Sequence, residues 1–112
     1  MPLQHTQRTI NSDRKTQPRV IPVDTAFTLG AYDKYITVSS TAATAKVITP
    51  IVADFIAGPI TIKMSARVAG SYTLAVEGGA LTFDAAGETA TVISNPITDT
   101  WVVQSLQGAT IV

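Results

Sequence analysis

The sequence predicts an all-β fold: a small single-domain β-sandwich or barrel of about eight short antiparallel strands behind an extended N-terminal arm. Three observations lead there. Apolar and polar residues alternate at a period of two through most of the chain, which puts each apolar set on one face of an extended strand. Gly, Asn and Pro interrupt these runs at roughly the 8–12-residue spacing of sandwiches and barrels. No helix–strand alternation supports a parallel sheet.

Residues 1–19 show neither a helical nor a strand period; Gln, Thr, Arg, Asn, Ser and Asp dominate, with two prolines. Such a segment does not fold alone and reads as an arm. Val20–Val23 sets three branched apolar residues around Pro22. That suits an edge strand or an extended segment lying on its own body or on a neighbour. We place the arm at residues 1–23 and the body at 24–112.

The body opens with a short strand, Ala26–Leu29, stopped by Gly30. Tyr35–Ser39 alternates, and Ser40–Thr44 is a loop or a bulged continuation. Lys46–Val52 ends near Thr49, because Pro50 disfavours the strand beyond it. Ala53–Gly58 is the one expected helical turn, too short to stand by itself. Pro59–Gly87 has the clearest alternation, with Ile60, Ile62, Met64 and Ala66, then Tyr72, Leu74 and Val76, then Leu81 and Phe83. Gly70-Ser71 and Gly78-Gly79 punctuate it at hairpin spacing, so a β-meander is expected, with Lys63 and Arg67 on its outer face. Thr89–Ser94, Thr100–Leu106 and Ala109–Val112 complete the set, the first closed by Asn95-Pro96.

Charged residues make up 14% of the chain, well below the usual quarter. A small β protein with so few charges is expected to hide part of its surface in an assembly. The formal net charge of zero is unevenly spread. Residues 1–23 carry four basic residues (Arg8, Arg14, Lys15 and Arg19) against one acidic residue, a net +3, and the body carries −3. A basic arm on a mildly acidic body points to an acidic surface as its partner. The absence of cysteine removes disulfides and thiolate metal sites. The N-terminus lacks the apolar run of a signal peptide and no stretch reaches membrane-spanning length, so a soluble protein made in a cytoplasm, with no membrane partner, is expected.

No constellation carries catalytic chemistry, and we expect no enzyme, small-molecule substrate, cofactor or metal. His5, the single histidine, sits in the arm without thiols or a second imidazole to complete a zinc set. Asp84 and Glu88 flank Gly87, but alanines occupy the intervening ligand positions of a cation loop, leaving turn residues as the better reading. No serine stands in a nucleophile elbow, and Gly78-Gly79 lacks the Gly-Lys-Ser/Thr of a phosphate loop. Nucleic acid is disfavoured, because the arm has no aromatic residue on which bases could stack. Trp101 with Tyr32 or Tyr35 is the one combination that suggests a sugar-stacking platform.

Residues 26–112 resemble the small all-β decoration, or cement, proteins of tailed bacteriophage capsids and related head and fibre modules. The resemblance rests on the run Thr41-Ala-Ala-Thr-Ala-Lys-Val, the Gly58–Met64 segment, the pair G-S-Y-T-L and G-G-A-L-T-F, and the terminal D-T-W-V-V-Q-S-L-Q-G-A-T-I-V. It implies a β-sandwich or barrel, a homotrimer on the virion's capsid surface, and the major capsid protein as partner. It carries over no catalytic or ligand-binding residue. With the arm's composition, it makes Arg8, Arg14, Lys15, Arg19, Val20, Ile21 and Val23 the candidate capsid-binding residues, the apolar ones adding a strand to an exposed edge. The alternative is a receptor- or carbohydrate-binding module of a phage spike or fibre, working through Trp101 and the tyrosines.

Overall fold

The alternating segments become ten strands in a computed structural model that describes residues 18–30, 33–50 and 59–112. They are β1 (Arg19–Val20), β2 (Phe27–Thr28), β3 (Tyr35–Ser40), β4 (Ala45–Thr49), β5 (Ile60–Arg67), β6 (Ser71–Val76), β7 (Gly79–Phe83), β8 (Thr89–Asn95), β9 (Thr100–Gln107) and β10 (Thr110–Ile111). No helix occurs among the described residues, and the helical turn expected over Ala53–Gly58 lies outside them.

Two five-stranded sheets share one core. The first has the order β1-β3-β5-β8-β9 and the second β10-β7-β6-β4-β2. Period-two burial runs through both, as the sequence predicts. Ile36 and Val38, Ile60, Ile62 and Met64, and Ala90 and Val92 face inward from the first sheet, and Ile48, Tyr72, Leu74, Leu81 and Phe83 from the second. Each fully buried aliphatic side chain of this kind contributes roughly 1.5–3 kcal/mol relative to exposure.

The pairing is not uniformly antiparallel. β1, β3 and β5 run parallel in the first sheet, and β2, β4 and β6 run parallel in the second. The chain alternates between sheets from β1 to β6, so it winds as a flattened coil of three turns. Parallel neighbours need a crossover between them, and here a strand of the opposite sheet serves as that crossover. Antiparallel pairing comes with the hairpins β6–β7 and β8–β9, with β8 on β5, and with β10 on β7.

This corrects the expected meander over Pro59–Gly87. β5 belongs to one sheet and β6–β7 to the other, and the segment at Gly70-Ser71 is an arch rather than a hairpin. The arch is held by its neighbours in the coil: Val68 N donates to Ser40 O (2.8 Å) and Ser71 N to Thr44 O (3.2 Å). A hairpin turn satisfies its own ends, whereas these ends bond the preceding arch. The Gly78 signal does mark a hairpin, with Val76 paired to Gly79.

A bulge also breaks the expected face of β5. Val38 pairs with Met64 but Ser39 pairs with Ala66, so Ser65 is the extra residue. Ala66 is thereby exposed instead of buried. Lys63 lies opposite Thr37, whereas Arg67 lies opposite the buried Ser40 and donates its Nε to Gly70 O. The two cations do not share a face.

Gly70 has φ +81°, and a Cβ there would run into Ala42 O, Thr44 O and Lys46 Nζ. Gly78 also has positive φ (+98°) but open space around it. Gly78→Ala is expected to cost about 1 kcal/mol of backbone strain, and Gly70→Ala about 3 kcal/mol or more, because its clash is with backbone. Urea denaturation of the two variants measures the difference.

Candidate functional site

The described candidate residues fall at the root of the arm. Arg8, Arg14 and Lys15 lie outside the described residues, as do His5 and Tyr32. The other four are Arg19, Val20, Ile21 and Val23, and the structure places them on the chain's own body. Arg19 and Val20 pair with Ile36 and Thr37 as the edge strand β1. Ile21 N donates to Thr37 O (3.0 Å), and its side chain enters the core at 4% exposure. Pro22 follows directly, with its nitrogen on the side away from β3, and Asp24 N then donates to Ser39 O (3.1 Å).

Arg19 ties this strand to the second sheet. Its Nη1 donates to Thr28 O and to Asp33 Oδ2, each at 3.0 Å, and its guanidinium stands 5.3 Å from the Phe27 ring centroid. Asp33 Oδ2 also accepts from Gly30 N at 2.7 Å, which fixes the carboxylate for the pair. Arg19 and Ile21 therefore serve the fold. Val20 and Val23, at 73% and 52% exposure, are the apolar arm residues that face outward.

At the opposite end of the sheets lies a polar cluster that strand periodicity alone does not announce. Lys46 sits in phase with Ile48, so its side chain points inward, and it is 5% exposed. Its ammonium reaches Ala42 O (2.6 Å), Ser40 Oγ (2.7 Å), Thr44 O (3.1 Å) and Asp24 Oδ1 (3.1 Å). Four acceptors meet three donors, so the charge is saturated and offers no free base or nucleophile. Asp24 completes the cluster from a left-handed backbone position (φ 58°), one that aspartate tolerates better than most residues. Its carboxylate accepts from the Thr41 hydroxyl, Thr41 N (2.7 Å) and Ala42 N (3.1 Å). The Thr41 hydroxyl, then those backbone donors, hold its pKa well below the usual carboxylate range. The legible signal was a lysine at an inward position of a strand.

Tyr72 closes the same end. Its hydroxyl donates to Thr25 O (3.0 Å) and accepts from Thr25 N (3.1 Å), while burial raises its pKa. The Asp84–Glu88 stretch is a turn, as expected: Glu88 Oε1 accepts from Asp84 N (2.6 Å) and Ala85 N (3.0 Å). Among the described residues no group of three or more His, Cys, Asp or Glu side chains is placed to hold a metal ion. Trp101 is 2% exposed in β9, so its ring has no face to offer a sugar, as the alternative platform with Tyr35 would require.

No protein-family model, curated protein or solved structure matches this chain.

Two outcomes test these assignments. Ile21→Ala is expected to destabilise the fold by about 3 kcal/mol and Val20→Ala by less than about 0.5 kcal/mol, read from urea midpoints. Asp24 has a depressed folded pKa, so its contribution is complete above about pH 4 and is lost as pH falls towards the folded value. Asp24→Asn should therefore flatten the acid limb of a stability–pH profile, while leaving the limb above pH 7 parallel to wild type.

Proposed function

We propose that this chain is a capsid-decoration (cement) protein of a tailed bacteriophage, a β-sandwich that binds the outer shell as a homo-oligomer and stabilises it. The observation that carries the reading is the outer face of the second sheet. The one charged residue in its five strands, Lys46, points inward. Thr28, Val47, Thr49, Thr73, Thr82 and Thr110 face out instead, and Val47 is 56% exposed. A face without charges desolvates at low cost when another protein covers it. It offers broad contact rather than a pocket with convergent polar groups.

The basic segment supplies the second support. β1 anchors the chain through Arg19 and Ile21, so Arg8, Arg14 and Lys15 precede a fixed point on the body. A tethered basic segment raises the encounter rate with an acidic shell, and several copies on one oligomer add their weak contacts. The burial of Trp101 removes the main support for the carbohydrate-binding alternative.

The test uses truncation at two points. Removing residues 1–17 is expected to leave the melting temperature within a few degrees of the full chain and to abolish co-sedimentation with empty shells of the cognate phage. Removing residues 1–23 is expected to lower the melting temperature as well, since Ile21 leaves the core. Undiminished co-sedimentation of the shorter truncation would rule out attachment through the arm.

A further inference from the structure

Among the described residues the two sheets have four edges, and three of them end in strands of two residues: β1, β2 and β10. Very short edge strands are a standard protection against pairing with another chain. The fourth edge is β9, eight residues long, with no charge and no proline. Uncharged strands are common here, but β9 is the long one left at an edge.

The open side of β9 is only partly used. Glu77 N donates to Trp101 O (2.8 Å), so the Trp101 carbonyl turns away from β8. The alternation of an antiparallel ladder turns the backbone of Val103 the same way. Beyond Trp101, no backbone hydrogen bond from a described residue reaches this side of the strand. An exposed apolar side chain, Leu106 at 42%, lies on the strand itself.

We infer that the β9 edge is a self-association site, pairing antiparallel with β9 of a second copy across a twofold axis. Such a contact sets the residues at the axis against their own counterparts, where a charge would face a like charge, and Thr100–Gln107 carries none. It joins the first sheets of two copies into one ten-stranded sheet and covers Leu106. A contact confined to one strand edge falls at the low end of specific interfaces, below about 1,200 Å² in total. An isologous contact closes at two copies, unlike the threefold arrangement implied by the resemblance to decoration proteins. The inference rests on the edge alone and does not depend on shell binding.

Sedimentation equilibrium of the full chain, run up to roughly 200 µM, is expected to show reversible doubling of the 11.8 kDa mass. Leu106→Arg should weaken the dimer at least tenfold; Gln107→Arg, at an exposed position, serves if the first variant does not fold. The chain has no cysteine, so single cysteines report cleanly. Gln104→Cys or Ser105→Cys should form a disulfide-linked dimer on oxidation, whereas Val68→Cys, in the distant β5–β6 arch, should not. A monomer throughout the range overturns the inference. So does an oligomer that neither responds to the arginine variants nor cross-links through β9.

Discussion

A buried ammonium group organises one whole end of this protein. The Lys46 ammonium has three protons to place, and the acceptors come from the arch that joins β3 to β4 and from the turn before β2. Ser40, one of its partners, also donates to Ala69 O in the third arch (2.5 Å), and Gly70 is left without a side chain beside the ammonium. Asp24, Ser40–Thr44 and Ala69–Gly70 thus belong to three successive arches stacked about one charge. Removing an acceptor would leave the buried ammonium uncompensated, which makes this stack a demanding constraint on sequence.

That constraint explains what could and could not be read from the chain. The strands themselves were legible, since alternation in Ile60–Met64, Tyr72–Val76 and Thr89–Ser94 follows directly from one buried and one wet face. Their partners were not. A glycine of positive φ serves a hairpin at Gly78 and an arch at Gly70, and the local residues are alike. What separates the two is whether neighbouring arches present acceptors, which is a tertiary fact. The bulge at Ser65 was hidden for a similar reason, because it depends on the register with β3. Among the candidate binding residues, Val20–Val23 did read as an edge segment, but charge counting grouped Arg19 with Arg8, Arg14 and Lys15. Only the geometry separates it, by engaging it with Thr28, Asp33 and Phe27.

Surface chemistry divides along the same lines as the topology. The core and the stacked arches absorb Lys46 and Asp24, and the β1 root absorbs Arg19 and Asp33. With a small charge complement to begin with, little remains for the broad faces, and the second sheet presents threonine and valine to its surroundings. Threonine suits this role: its branched side chain favours the pleat, while its hydroxyl satisfies water or a partner equally well. The basic segment ahead of β1 then differs sharply in character from the surface to which it is joined.

The three-turn coil has a further consequence, for how such a fold changes in length. Each turn adds one strand to each sheet in parallel with the last, and stacks its arch on the preceding one, so the body grows by repetition rather than by redesign. Propagation is stopped at one side by the antiparallel strands β7–β10 and at the other by β1 and β2, reduced to two residues each. Relatives of different size would then be expected to differ by whole turns inserted before β5, each with its own inward polar residue at the arch, while the antiparallel cap and the foreshortened first turn stay the same.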